Sequence, residues 1–288
     1  MSPLRLGRSA FRPGEYAVMA IINRTPDSFY DRGATFAFEQ AWRRVEQVVA
    51  DGADIIDVGG VRAGPGEHVD EAEEIERTAG LVEAIREKYD DVVVSVDTYR
   101  AGPAAALCEA GAELINDTWA GADPDVAAVA AEYDVGLVCS HTGGLAPRTL
   151  PHRVHYRDVV ADVIEHTSLL AERAVALGVD RESILIDPTH DFGKNTYHSL
   201  ELTRRLDELA RTGWPVLVSL SRKDYVGETL DLPVAERLPG TLAATAISAW
   251  HGARVFRAHD VVATRNVLDM VASIRGTRPP AAPWRGLA

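Results

Sequence analysis

The sequence predicts an α/β fold of the (β/α)8 TIM-barrel type. Short segments rich in Val, Ile and Leu alternate with longer amphipathic segments, and this alternation occurs eight times. No Ser- or Pro-rich linker interrupts the series. A chain of 288 residues is long enough for such a barrel, which typically takes about 250 residues. We therefore expect a single domain over residues 1–288.

The eight apolar segments have the length and composition of strands buried on both faces. In chain order they are YAVMAII (16–22), DIIDV (54–58), VVVSVD (92–97), ELIND (113–117), VGLVCSH (135–141), SILIDP (183–188), WPVLVSLS (214–221) and RVFRAHD (254–260).

The segments between and after these strands predict helices. They are FEQAWRRVEQVVA (38–50), EAEEIERTAGLVEAIREK (71–88), PAAALCEAG (103–111), PDVAAVAAEY (124–133), VVADVIEHTSLLAERAVALG (159–178), SLELTRRLDELART (199–212), LPGTLAATAISAWHGA (238–253) and VVATRNVLDMVASIRG (261–276). Asp123-Pro124 marks one helix start and Gly178 one helix end. A doubly wound open sheet is the alternative, but the count of eight favours the barrel, and no glycine-rich dinucleotide fingerprint follows the first strand.

The charge balance excludes some classes of partner. Lys and Arg total 30 against 43 Asp and Glu, which gives a net charge of −13. Because clustered cations drive binding to nucleic acids and acidic membranes, we expect neither as a partner. Cys108 and Cys139 are too few for a disulfide framework. No apolar run is long enough to span a bilayer, and no signal peptide is evident, so we expect a cytoplasmic protein.

Polar residues occur at the ends of the predicted strands. Most of these segments end in Asn, Asp or His, and the seventh continues into Ser221-Arg222-Lys223. In a barrel these ends meet at one face, where active sites are built. Helix capping would explain single Asp or Asn residues at such junctions. It does not explain a Lys, an Arg and two His in the same ring, which indicates a functional face.

Three of these residues are suited to a flat polar ring. Asp97, Asn116 and Asp187 follow three different strands. Carboxylates accept from an N–C–N edge that carries N–H groups, and an amide both donates and accepts. We therefore expect a heterocyclic ligand to bind by its edge.

Other residues in the ring are suited to an anion and a metal ion. Lys223, Arg257 and His259 could bind an anionic group such as a diphosphate. Asn23, with Asp27 nearby, could offer oxygens to Mg²⁺, which keeps most of its waters and needs few protein ligands.

A zinc metallohydrolase is the competing interpretation. Its ligands would come from His141, Asp187, His190 and His259. No His-x-His pair follows the first strand, however, and no tight ligand spacing occurs elsewhere. Taken singly, each of these histidines is as well explained by a surface or supporting role.

Seven motifs, in order along nearly the whole chain, resemble those of the dihydropteroate synthase family. They are NRTPDSFYDRG (23–33), DVGG (57–60), SVDTYRA (95–101), IND (115–117), DPTHDFGK (187–194), SRKDYVG (221–227) and RAHDV (257–261). The resemblance implies a pterin-binding barrel. Such enzymes condense a hydroxymethyl-dihydropterin diphosphate with p-aminobenzoate and release diphosphate. Catalysis would consist mainly of orienting the two reactants and stabilising the leaving group.

The resemblance also implies roles for individual residues. The residues that would line the pterin pocket are Asp97, Asn116, Asp187, Phe192 and Lys223. Arg257 and His259 would hold the diphosphate, and Asn23 would bind Mg²⁺. The catalytic residues would be Lys223 and Asp187.

The sequence departs from the family in the loop after the second predicted strand. After Asp57-Val-Gly-Gly the family reads Glu-Ser-Thr-Arg-Pro-Gly, whereas this chain has Val61-Arg62-Ala63-Gly64-Pro65-Gly66. The Thr and Arg help the family to build the aminobenzoate site and contact the diphosphate. Their replacement by Ala63 and Gly64 removes a charge and a bidentate donor.

Two further segments differ. The family's Asp-Pro-Gly-x-Gly-Phe is Asp187-Pro188-Thr189-His190-Asp191-Phe192 here, so two glycines that permit positive φ are lost. The residue after Asn23 is Arg24 instead of Val. Arg24 and Arg62 either replace the missing cation or are solvated loop residues, and the sequence favours neither.

These departures predict a dihydropteroate synthase homologue with a retained pterin pocket and little or no synthase activity. It resembles the divergent second copy that some actinobacteria carry, and weak binding of pterin-like, sulfone or sulfonamide ligands is expected. Two alternatives are an active transferase in which Arg24 or Arg62 compensates, and a non-catalytic small-molecule sensor. We also expect a homodimer through LAATAISAWHG (242–252), where Trp250 is a candidate contact.

Overall fold

A computed structural model describes residues 3–25, 37–149 and 153–285 of the chain. Eight parallel strands form the barrel, and the TIM-barrel prediction is confirmed. Their order in the sheet is β8-β7-β6-β5-β4-β3-β10-β9, and a parallel bridge between Ile186 and Val216 joins the two ends. The barrel strands are β3 (Ala17–Asn23), β4 (Ile55–Gly59), β5 (Val93–Asp97), β6 (Leu114–Asp117), β7 (Gly136–Ser140), β8 (Ile184–Asp187), β9 (Leu217–Ser219) and β10 (Val255–Ala258).

Helices cover the outside of the barrel. They are α1 (Phe38–Ala50), α2 (Glu71–Lys88), α3 (Ala101–Glu109), α4 (Val126–Glu132), α5 (Val159–Leu177), α6 (Thr196–Arg204), α7 (Leu206–Ala210), α8 (Asp224–Leu230), α9 (Leu238–Trp250) and α10 (Val261–Ile274). The longest helix, α5, is capped at its N-terminus by Asp158, whose carboxylate accepts from two backbone N–H groups. Gly178, in the left-handed conformation, caps its C-terminus.

A short hairpin closes the amino-terminal end of the barrel. Strands β1 (Leu4–Leu6) and β2 (Ser9–Phe11) pair antiparallel. Leu4 and Leu6 are fully buried and belong to one apolar cluster that includes at least one residue from each barrel strand. We call these barrel residues the floor layer, namely Ala17, Met19, Ile55, Val93, Leu114, Val138, Leu185, Leu217 and Val255. The opposite end of the barrel is therefore the open mouth.

The structure differs from the sequence prediction in three elements. The hairpin was not predicted, because strands of three residues carry little periodicity. The segment 199–212 is two helices that meet at Arg205, whose side chain pairs with Asp158 and Glu208. Helix α8, which begins within the SRKDYVG motif, was also not predicted. Within the described residues, no helix is long and apolar enough to cross a membrane.

Candidate functional site

The barrel interior becomes polar two residues beyond the floor layer. Alternate residues of a strand share a face, so these positions also point inward. We call them the polar layer, and they are Ile21, Asp57, Ser95, Asn116, Ser140, Asp187, Ser219 and Arg257. Within this layer, every barrel strand except β3 contributes a polar side chain.

Arg257 links two carboxylates inside the barrel. Its Nε donates to Asp57 Oδ2 at 2.6 Å, and its Nη2 donates to Asp97 Oδ2 at 2.8 Å. Asp57 is fully buried and also accepts from Ser95 Oγ at 2.6 Å and from Asn116 Nδ2 at 3.1 Å. These five side chains form one hydrogen-bonded network, which we call the Arg257 cluster.

Asp97 has an altered proton affinity within the Arg257 cluster. Burial raises its pKa to about 7; Arg257 opposes the shift and the charge of Asp57 adds to it. The other carboxylate oxygen accepts from Thr118 Oγ1 at 3.0 Å. Near neutral pH the carboxyl group can therefore either accept a hydrogen bond from a ligand or donate one.

Asp187 and Lys223 form the second charged part of the site. Burial raises the pKa of Asp187, and the positive charge of Lys223 opposes that shift. Burial lowers the pKa of Lys223, while Asp191 and Asp187 act in the opposite direction. The Lys223 ammonium donates to the His190 carbonyl oxygen. These effects place Asp187 and Lys223 within electrostatic reach of each other.

An aromatic pair lies beside this lysine. The Lys223 ammonium lies 4.8 Å from the centroid of the Phe192 ring, within cation–π range. Phe192 in turn meets Trp119 edge to face, with centroids 5.4 Å apart. Phe192 thus provides an apolar surface next to the polar layer, as a flat ligand requires.

The loop after β8 holds two non-glycine residues in the left-handed region. Thr189 has φ 51° and Asp191 has φ 72°, the two positions at which the family has glycine. Hydrogen bonds offset part of the strain, since Thr189 N donates to Asp187 Oδ1 at 2.7 Å and its hydroxyl accepts from His141 N at 3.1 Å. Thr189 and Asp191 therefore adopt the left-handed conformation here without glycine.

Lys194 is a structural residue that the sequence analysis did not single out. It is 6% exposed, and its ammonium donates to the carbonyl oxygens of His141, Phe192 and Thr189 at 2.8, 2.9 and 3.2 Å. Burial lowers its pKa to about 7. The DPTHDFGK motif includes this residue. Its three partners are backbone carbonyls, however, and because every residue has one, the sequence does not reveal these contacts.

Asp57 is the second residue that sequence reasoning left without a role. It is part of the quoted DVGG motif and lies two residues after the floor residue Ile55. Counting alternate positions from the apolar residues of each strand would have placed it inside the barrel.

The groups predicted to hold an anion differ in charge. Burial, followed by the charges of Arg257 and Arg222, lowers the pKa of His259 to about 3, so its imidazole is neutral at pH 7. His259 Nδ1 lies 2.9 Å from Ser221 Oγ. Arg222 makes a bidentate ion pair with Asp260 at 3.1 and 3.2 Å. His259 can therefore contribute hydrogen bonds to an anion but no positive charge.

Asn23 lies at the end of β3, next to Asp97. A methyl group built on Gly59 would lie 3.5 Å from both Asn23 Oδ1 and Asp97 Cβ, so both side chains reach the space above this glycine. An amide oxygen beside a carboxylate suits a magnesium ion that keeps most of its waters. Asp27, which was also considered for Mg²⁺, lies outside the described residues.

Two backbone carbonyls of the loop after β4 accept hydrogen bonds from arginine side chains. The Gly64 carbonyl accepts from Arg148 Nε at 3.3 Å, and the Gly60 carbonyl accepts from Arg77 Nη1 at 2.9 Å. The Arg24 guanidinium lies 5.8 Å from the Phe38 ring centroid. Positions 63 and 64, with Ala and Gly, offer no side-chain donor to a ligand.

The four residues of the zinc hydrolase alternative make separate contacts. His141 Nε2 lies 2.7 Å from Asp162 Oδ1 on α5, and His190 Nε2 lies 3.1 Å from Thr203 Oγ1. Asp187 and His259 contact Thr189 and Ser221, respectively. In the part of the chain that the structure describes, the one three-ligand cluster of His, Cys, Asp or Glu is His141, Asp162 and His166. It shares only His141 with the predicted set.

Comparisons with known proteins agree with this geometry. Residues 19–259 match the family model described as pterin binding enzyme. A protein of Mycobacterium leprae named inactive dihydropteroate synthase 2 is 62% identical over 94% of this chain and 94% of its own length. A dihydropteroate synthase of Streptococcus pyogenes is 38% identical over 91% of this chain and 96% of its own length.

A solved structure matches the whole barrel. The crystal structure of Yersinia pestis dihydropteroate synthase in complex with a sulfonamide drug superposes with a TM-score of 0.90 and 34% identity. The match covers 96% of this chain and 100% of that one.

Proposed function

Because this chain belongs to the pterin-binding enzyme family, we propose that it is a dihydropteroate synthase homologue that retains a pterin pocket but has lost, or nearly lost, synthase activity. One observation carries the proposal. The loop after β4 has Ala63 and Gly64 where the family has Thr and Arg, while the polar strand ends of the barrel are kept.

The retained half of the site supports pterin binding. Asn116 and Asp187 are buried on the barrel interior, and Asp97 joins them through the Arg257 cluster. Phe192 and Lys223 form a flat wall beside them. Together these groups would bind the polar edge and one face of a pterin ring, with Asp187 and Lys223 nearest to the reaction.

The altered half of the site accounts for weak catalysis. In the synthase reaction a carbon–nitrogen bond forms between the amine and the pterin methylene carbon, and the bond to the diphosphate oxygen breaks. The leaving group therefore needs cations. Here Arg257 is already paired with Asp57 and Asp97, and His259 is neutral. Losing one charge-assisted clamp costs about 10²–10³ in rate.

Magnesium is a further part of the proposal. Asn23 would contribute its amide oxygen, and the ion would add positive charge beside the leaving group. The approach of Asn23 and Asp97 to Gly59 supports this placement.

We also propose a homodimer through α9 and α10. These two helices pack side by side, and they carry exposed apolar side chains at Ile247, Trp250, Met270 and Ile274. An apolar patch of this kind is typical of a protein interface.

Sedimentation should give twice the mass of one chain, and Trp250→Lys should shift the measured mass towards that of the monomer. Tyr197→Lys, at an exposed aromatic residue on α6, is the control and should remain dimeric; a monomeric wild type would contradict the proposal.

A steady-state assay with the pterin diphosphate and p-aminobenzoate tests the function. We expect turnover at least about 10²-fold below the enzyme median of about 10 s⁻¹. Turnover of about 1 s⁻¹ or faster would contradict the proposal and favour a compensating Arg24 or Arg62. Single substitutions of these arginines by Met would then identify the compensating residue.

A further inference from the structure

A second cluster of ligand-forming side chains lies between β7 and α5, outside the polar layer. His141 follows β7, and its ring turns towards the first turns of α5. Asp162 and His166 come from that helix. The ligand atoms of these three residues all lie within 4.8 Å of one another.

The helix presents its two ligands on one face. Asp162 and His166 are four residues apart, so their side chains are neighbours on the surface of α5. Asp162 Oδ1 lies 3.3 Å from His166 Nδ1. In a tetrahedral zinc site with bonds of about 2.0–2.1 Å, ligand atoms lie about 3.3 Å apart. This separation is close to what one ion requires. His166 Nδ1 also lies 2.9 Å from the Asp162 backbone carbonyl oxygen, so binding an ion through Nδ1 would replace this hydrogen bond.

The third ligand is fixed by the barrel. His141 is 1% exposed, and Lys194 and Thr189 hold its backbone. Its Nδ1 is buried without a hydrogen-bond partner among the described atoms, so Nε2 is the ring nitrogen that faces polar groups. Nε2 lies 2.7 Å from Asp162 Oδ1, and an ion would widen this contact by a small movement of the helix side chains.

The cluster is closed on the barrel side and open to solvent. The side chains of Asp162 and His166 are 35% and 56% exposed, in contrast to His141. Solvent can therefore deliver a metal ion and supply a fourth ligand. Two imidazoles and one carboxylate are donors that zinc prefers, whereas Mg²⁺ prefers oxygen ligands throughout.

We propose that His141, Asp162 and His166 bind one Zn²⁺ ion, with water as the fourth ligand. The ion would tie α5 to the end of β7, next to the loop that begins at His141 at the barrel mouth. This site is separate from the pterin pocket and does not depend on synthase activity.

Calorimetric titration of the full chain with Zn²⁺, after treatment with a chelator, tests the proposal. We expect one equivalent to bind and the melting temperature to rise. Co²⁺ in place of Zn²⁺ should give the visible absorption of a tetrahedral site. Absence of binding, or an octahedral cobalt spectrum, would overturn the proposal.

Variants separate this site from other metal-binding groups. His166→Gln changes an exposed residue and should fold normally, but it should weaken Zn²⁺ binding by at least about tenfold. Asp162→Asn should act in the same direction. The control is His251→Gln, at the end of α9, which should bind as the wild type does. Equal binding by His166→Gln, or an equal loss in His251→Gln, would refute the assignment.

Discussion

The strand ends of the barrel and the loop after β4 hold their functional groups in different ways. Asp57 is fully buried, Asp97 and Arg257 are only 16% exposed, and the three side chains hydrogen-bond to one another, so the fold itself depends on them. Residues 61–66 are half-exposed or exposed, and the Gly64 carbonyl accepts a hydrogen bond from Arg148. A chain can therefore lose its loop donors without losing stability, whereas it cannot easily lose its pocket. This difference explains how a pterin pocket can persist after the synthase reaction has been lost.

The largest loss of stability is expected at Arg257, which belongs both to the pocket and to the hydrogen-bonded interior of the barrel. Arg257→Met leaves two carboxylates buried without their partner, which should lower the free energy of unfolding by about 3–5 kcal/mol at pH 8. The loss should be smaller at pH 5, because Asp97, with its pKa raised to about 7, can then be protonated. Urea denaturation measures both values.

Arg62→Met, in the loop after β4, is the matched control for Arg257→Met. Its free energy of unfolding should stay within about 0.5 kcal/mol of the wild type. Equal losses at the two positions would remove the distinction between core and loop.

Substitution of Asp117 tests whether a carboxylate at a strand end contributes to the pH dependence of stability. It accepts from the backbone N–H groups of Trp119 and Gly121 at 2.9 and 2.7 Å. Burial raises its pKa to about 6, and the charge of Asp123 adds to the shift. The folded protein therefore binds this proton more tightly than the unfolded chain, and stability falls as pH rises from about 4 to 6.

The expected size of this pH effect is about 2–3 kcal/mol. Asp117→Asn should flatten the dependence of the unfolding free energy on pH between 4 and 6. Urea midpoints at closely spaced pH values measure it, and an unchanged slope would show that other groups cause the pH dependence.

The hydroxyl of Thr189 should contribute less. Thr189→Val keeps the branched shape and the positive φ but leaves the His141 N–H without its acceptor. We expect a loss of about 1–3 kcal/mol in unfolding free energy. Thr149→Val removes an exposed hydroxyl that donates to a nearby carbonyl, and it should cost less than about 0.5 kcal/mol. Similar costs at the two positions would mean that the hydroxyl does not support the β8 loop.

Restoring the family loop should have the smallest effect on stability and a clear effect on catalysis. The double substitution Ala63→Thr and Gly64→Arg should leave the unfolding free energy within about 0.5 kcal/mol. It should raise synthase turnover by at least about tenfold, since one anion clamp is worth about 10²–10³. A control with Gly64→Met adds length without charge and should not raise turnover.

The sequence was sufficient to predict the barrel but not to predict the side-chain contacts inside it. Eight apolar segments located all eight barrel strands, and their polar ends located the mouth. The ion pair between Arg257 and Asp57 joins residues 200 positions apart, so local patterns could not predict it. The pairing of His141 with Asp162 likewise depends on how α5 packs against β7. The role of Lys194 was not predicted, because its partners are backbone carbonyl groups, which every residue has.

Equilibrium binding of a pterin tests most directly whether this protein has kept the pterin pocket while losing the synthase reaction. Calorimetric titration should detect binding to the wild type, and Asp187→Asn should weaken it by at least about tenfold, because a charge-assisted hydrogen bond is lost. Failure of the wild type to bind any pterin, or equal binding by Asp187→Asn, would contradict the account.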